Sequence, residues 1–242
     1  MSLYRGASAA AMTLVLAGCG GGGDGRARTI EGAEASASSV GGASAAPVEV
    51  DGDGDKTLTE AELNAALLIV TDLPTGYKQG TPDVDDDDDT AGDTDECSAK
   101  FKTLGDAEDT EAASAEASFE GGGLGTILEQ GLESYEDEDT VEGRFDDVLE
   151  VLNECKTFTD IDDAGVKTDF TVGPLSFPKL GDDTVALAVT GKTPDFQIAL
   201  NIVIVRLGRN VMSVAQGGLA TDTAALEQAS RKGFEKLAAA TE

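Results

Sequence analysis

Histidine and tryptophan are absent from this sequence, and lysine and arginine are scarce. Each absence excludes something. Without an imidazole there is no histidine base and no histidine-ligated metal site. With 17 Lys+Arg against 47 Asp+Glu, the formal net charge is −30. The cations that nucleic-acid phosphates require are therefore missing, and electrostatic docking on anionic lipid is disfavoured as well. Aromatic residues make up only 5% of the chain. No apolar run reaches the ~20 residues that a membrane-spanning helix needs. What remains is a chain of 242 residues with 40% hydrophobic residues. That is enough for one domain with one core, plus tails.

The N-terminus reads as an export address. Arg5 supplies a weakly positive start, Ala9 to Ala17 a short apolar stretch, and Leu16-Ala17-Gly18-Cys19 follows. An ordinary signal-peptidase site needs small residues and no cysteine. Leu-Ala-Gly-Cys looks like a bacterial lipobox, in which the cysteine becomes the first mature residue and carries the lipid. The alternative is a buried apolar helix with an incidental cysteine, but the Gly20 to Gly23 run gives no packed element a place to start. The expected organisation is a signal peptide at 1–18, a lipid-anchored tether at 19–55 and a single domain at 56–242. The tether is rich in Gly, Ala and Ser and buries too little apolar surface to order itself. About 30 such residues span roughly 30 Å. A diacylated Cys19 gives the two-chain anchor that stable attachment requires, so the expected location is the extracytoplasmic face of the cell membrane. Cys97 and Cys155 are then an even pair in an oxidising compartment, which reads as a disulfide. The alternative, a catalytic thiol, has no histidine to activate it.

Periodicity outlines the domain. Thr59 and Glu62 form a capping box. Leu63, Ala66, Leu67 and Val70 follow on one helical face. From Asp83 to Glu96, nine of fourteen residues are acidic, a solvated loop. Ala113, Ala115, Ala117 and Phe119 alternate with Ser114, Glu116, Ser118 and Glu120, a strand with one wet face. Gly121 to Gly123 turn into a second strand, Leu124 to Tyr135. A helix opens at Thr140, with Val141, Phe145, Val148, Leu149, Leu152 and Cys155 on its inward stripe. From Asp169 to Ala215 strands dominate as an antiparallel meander. Phe196, Ile198, Leu200, Ile202 and Ile204 share one side of a strand there, and Val203 and Val205 the other. Leu226, Ala229, Gly233 and Leu237 place a last helix against the sheet. The fold class is α+β: an antiparallel sheet flanked by helices, with the helices expected on one side.

Several phrases carry a resemblance. Leu58-Thr59-Glu60-Ala61-Glu62-Leu63, Ala66-Leu67-Leu68, Asp72-Leu73-Pro74-Thr75-Gly76-Tyr77 and Phe177-Pro178-Lys179-Leu180-Gly181-Asp182-Asp183 resemble actinobacterial lipoproteins of the PknH-like extracellular sensor-domain family. The likeness spans roughly Thr57 to Ala240. It implies a helix-flanked antiparallel sheet and a ligand-sensing role outside the cell. The ectodomain that gives the family its name is associated with two disulfides, and this chain has cysteines for one besides Cys19.

Three sets of residues are candidate sites. Asp51, Asp53, Asp55 and Glu62 match positions 1, 3, 5 and 12 of a calcium-binding EF-hand loop. Lys56 stands where that loop needs glycine, no helix precedes it, and the capping box already accounts for Glu62. Calcium is thus a possible cofactor, and no other is expected. Val203, Val205 and Arg206 mark a ligand groove, expected between the sheet and the helix of Thr140 to Cys155, because a strand apolar on both sides is either covered twice or exposes a patch. Arg206 is read either as a salt-bridge partner or as an anchor for an anionic ligand. Catalysis has no support. Asp182 and Asp183 are adjacent and fit a turn, and Gly121 to Gly125 lack the lysine and helix of a phosphate loop. The functional expectation is a non-enzymatic, sensor-like surface lipoprotein. Its partners are the membrane, through its lipid, and a small ligand or envelope component. The alternative is a structural or adhesive envelope protein without a pocket.

Overall fold

The computed structural model describes residues 54–81, 95–105, 111–123, 125–161 and 165–242. The lipobox with Cys19, the tether, Asp51, Asp53 and most of the acidic run after Asp83 lie outside the described residues.

Eight strands form one antiparallel sheet in the order β1-β2-β3-β8-β7-β6-β5-β4. They are β1 Tyr77–Gln79, β2 Glu111–Gly121, β3 Ile127–Tyr135, β4 Thr157–Ile161, β5 Lys167–Pro174, β6 Asp183–Lys192, β7 Gln197–Leu207 and β8 Asn210–Gly218. Two meanders, β1 to β3 and β4 to β8, are joined by the pairing of β3 with β8. The helices are α1 Glu60–Ala66, α2 Glu96–Gly105, α3 Glu138–Glu154 and α4 Thr223–Thr241. They occupy both faces of the sheet, not one.

On the first face, α1 and α4 cover the main core. Leu128, Leu132, Met212, Val214, Val203 and Val205 point into it from the sheet. Leu63 and Ala66 of α1 and Leu226, Ala229, Phe234 and Leu237 of α4 meet them. The alternation on β2 holds: Ala115, Ala117 and Phe119 are buried in this core. The capping box is formed as expected, with Thr59 and Glu62 bonded to each other's backbone N–H groups. The helix then stops at Ala66, so Val70 falls in a short 3-10 turn and is exposed. Lys236 of α4 ties this layer together through the Leu67 carbonyl and the Asp72 carboxylate, the latter at 3.1 Å.

On the second face, α3 packs Val141 and Phe145 with Tyr135 against Val185, Ile204 and Val211. Its N-cap is Asp137, which accepts from the Asp139 N–H, so the helix opens earlier than Thr140. Leu149 does not belong to its inward stripe; it is 43% exposed, and Val151 is buried in its place. Cys155 ends the helix and is bonded to Cys97 at the start of α2. The expected disulfide is therefore present. Phe101 of α2 stacks on Phe158, which stacks on Phe170, over the β4 and β5 corner of this face.

Gly54 is the first described residue ahead of α1. Gly54 and Gly208 cross with positive φ, each so close to the other's backbone that a Cβ would stand about 2.5 Å from it. Only glycine fits there. The Asn210 side-chain amide donates to the Gly54 and Lys56 carbonyls, and the Leu58 N–H donates to the Ser134 hydroxyl. Gly54 is thus fixed at the end of the sheet where the β7–β8 turn lies.

Candidate functional site: the half-covered sheet face

The expected groove lining is corrected by the strand's parity. Val203 and Val205 are 0% exposed and belong to the main core under α4. Helix α3 lies on the other side, over Ile204, so the groove beside it is lined by Ile202 and its neighbours. The physical reason is the period of two along a strand: one residue of slip changes the face.

Arg206 is also corrected as an anion anchor. Its side chain is only 10% exposed and is enclosed by carboxylates. Its Nε donates to Asp183 Oδ2 at 2.8 Å, its Nη1 to Glu138 Oε1 at 2.8 Å, and Glu142 stands 3.6 Å from Nη2. Burial disfavours its charge, but the hydrogen bonds from Asp183 and Glu138 outweigh burial and its pKa is raised. Its guanidinium is turned to these carboxylates and away from the open face. Arg206 instead seats the first turn of α3 on β6 and β7. Next to it, Arg144 donates to the Tyr135 hydroxyl at 2.8 Å and lies over its ring. Burial, and then the Glu133 charge, pushes the Tyr135 phenol well above its usual range. This corner is a structural network.

The strand register maps the rest of the face. One row across the sheet runs Pro174, Leu187, Ile202, Ala215, Glu129, Ser118. The next, farther from Gly54, runs Val172, Val189, Leu200, Gly217, Ile127, Glu120. Leu187, Val189, Leu200 and Ile202 are half-buried, with no place in either core cluster, and Ile127 is 44% exposed. Small residues lie along the middle: Gly131, Ser213, Ala215 and Gly217. Large aliphatic residues rise on the β6 and β7 side, and Glu116 and Glu129 on the β2 and β3 side. The result is a shallow trough, aliphatic on one flank and acidic on the other. It occupies the half of the face remote from Gly54. Further exposed apolar residues sit at that same end: Phe196 before β7, Leu219 after β8, Ile161 at the end of β4 and Val166 before β5.

The sequence did contain a signal for this trough. The aliphatic run of Leu200, Ile202 and Ile204 is matched by the small residues Ser213, Ala215 and Gly217 on the neighbouring strand. Large beside small on one face makes a step, which alternation within a single strand does not reveal.

The calcium-loop residues are only partly described. The Glu62 carboxylate accepts from the Thr59 N–H and hydroxyl at 2.9 and 2.8 Å, and its other oxygen is 2.9 Å from Lys56 Nζ. These bonds, the Thr59 N–H first, lower its pKa to about 2. The position that would grip calcium is held by a cap and an ammonium group. Asp55 is exposed.

Two clefts stand out among the described residues, and neither of these is in the trough. One of about 300 Å³ is lined by Leu175, Phe177, Lys179, Asp183, Thr184 and Ala186. One of about 210 Å³ lies near Tyr77, Gln216 and Asp222. Pockets for small molecules usually hold about 300 to 1,000 Å³.

The sequence matches no protein-family model and no curated protein. Among solved structures, the chain is similar to the extracellular domain of PknH from Mycobacterium tuberculosis. The TM-score is 0.59 at 13% sequence identity, covering 77% of this chain and 98% of that one. The fold is that of the PknH extracellular domain. At this identity the likeness speaks for the fold. The described residues contain no helix long and apolar enough to cross a membrane.

Proposed function

We propose that this chain is a lipid-anchored envelope protein whose sensor-type domain sits outside the cell and captures an envelope component on the trough. The observation that carries this reading is the apolar half-face left open beside α3, at the end of the sheet opposite the entry of the chain. A tether from Cys19 to Gly54 would point that end away from the membrane. The export signal and Leu16-Ala17-Gly18-Cys19 support the location, and the Cys97–Cys155 disulfide fits an oxidising compartment. The related fold in PknH is an extracellular domain.

The shape of the trough favours an extended partner over an enclosed small ligand. A shallow face buries little of a small molecule, whereas a segment of protein or an acyl chain lies along it. The reading is non-catalytic, since the chain has no histidine base. The test is site-specific photo-crosslinking in the cell of origin. A photoreactive residue at Leu200 or Ile127 is expected to give a discrete adduct, and one at Asn64 on exposed α1 none. Equal adducts from all three sites, or none from the first two, would refute the reading. Cys19→Ala is expected to release the protein or leave an uncleaved precursor.

A further inference from the structure

A cleft lies on the other face of the sheet, in the connection between β5 and β6. The cleft of about 300 Å³ is walled by Leu175 and Phe177, which pack on the edge of the main core, and by Ala186 of β6. Its walls are pinned before any ligand arrives. The Leu175 N–H donates to the Ala186 carbonyl at 2.9 Å. The Thr184 hydroxyl both accepts from the Leu180 N–H and donates to the Leu180 carbonyl. The Asp182 N–H donates to the Arg206 carbonyl, and the Asp182 carboxylate accepts from the Gly208 N–H at 2.7 Å. Gly181 turns there with φ of +58°, its Cα against the Arg206 carbonyl. Pro174 and Pro178 stiffen the path further. A site already in shape loses little entropy on binding.

The charges lining the cleft do not cancel. Asp183 is tied to Arg206, which donates to it from Nε and Nη2 and also serves Glu138, so its carboxylate is turned to that corner. The Thr184 hydroxyl has both roles filled. Lys179 is exposed and makes no ion pair or hydrogen bond among the described residues. In a chain of net charge −30, that leaves one unneutralised ammonium group beside three apolar side chains. We propose that this cleft binds a compact apolar monocarboxylate, of the class of a medium-chain fatty acid. The carboxylate pairs with Lys179, and the hydrocarbon lies against Leu175, Phe177 and Ala186. The volume is at the small end of ligand pockets, which limits the ligand to a short chain.

The experiment is an amide NMR titration of the domain with sodium octanoate, with octylammonium chloride as the control. Saturable shifts are expected at Leu175, Phe177, Lys179 and Ala186 with octanoate, and none there with octylammonium. Lys179→Gln, at an exposed position, is expected to keep the spectrum elsewhere and weaken octanoate about fivefold, as loss of an exposed ion pair does. Lys179→Arg is expected to bind within about twofold of the parent. The proposal is overturned by octylammonium binding equally well, by unchanged affinity in Lys179→Gln, by shifts confined to Leu200 and Ile202, or by no shift at all. Shifts confined to Leu200 and Ile202 would place octanoate in the trough instead; the other outcomes leave capture at the trough untouched.

Discussion

Strand β7 offers aliphatic side chains to both faces of the sheet, yet the two faces end differently. Val203 and Val205 are sealed, while Leu200 and Ile202 one step away are half open. The amount of helix explains it. Seven strand spacings make the sheet about 34 Å wide. The first face receives α4, with 19 residues, together with α1 and the β5–β6 connection. The second receives α3, whose 17 residues make a rod about 25 Å long and 10 Å wide, plus the small cap of α2. Arg206 holds α3 at the end near Gly54, and the disulfide holds its other end at the β4 corner. The described residues leave the rest of that face uncovered. A fold can thus keep one face for stability and leave part of the other for contact.

The sharpest break of this contrast is a charge in the sealed face. Val205→Asp buries an unpaired carboxylate and is expected to cost about 5 kcal/mol or prevent folding. Denaturant unfolding measures it. Next in size is the cross-link on the open face. Cys97→Ser with Cys155→Ser removes a loop of 58 residues, which chain entropy sets at about 4 kcal/mol. The same unfolding curves test it, and the loss is expected in the α2 and α3 layer while β3, β7 and β8 keep their amide protection.

Arg206→Leu leaves Asp183, Glu138 and Glu142 facing one another at the start of α3. These carboxylates are about half exposed, so the cost is expected near 2 kcal/mol, below that of a fully buried pair. It should shrink in high salt, which a salt series of unfolding curves checks. The smallest effect is at Glu62. Its folded pKa of about 2 lies below the ordinary 4.5. The stabilisation is therefore present above about pH 4.5 and lost as pH falls toward 2. The stability gap between the parent and Glu62→Gln is expected to close over that window.

Much of this architecture was legible in the sequence. The capping box at Thr59, the wet and dry sides of β2 and the last helix follow from spacing alone, and the cysteine pair from an even count in an oxidising compartment. Boundaries drifted where caps compete: Asp137 caps α3, not the residue before Thr140, and β3 starts at Ile127, not Leu124. The face of the groove was not legible. Val203 and Ile202 are both aliphatic, and which side a helix covers depends on how the termini thread, a long-range property that local alternation lacks. Arg206 stood out as a rare cation, but its partners come from β6 and α3 and are 23 to 68 residues away.

Adjacent residues of β7 test the central claim most directly. Thermal unfolding of Ile202→Asp and Val203→Asp compares the open and sealed faces at a single step of the strand. Ile202→Asp is expected to lose about 3 °C, the cost of a charge on a half-open surface. Val203→Asp is expected to lose about 15 °C or more, or not to fold. Equal losses in the two proteins would contradict the account, because both faces would then be core.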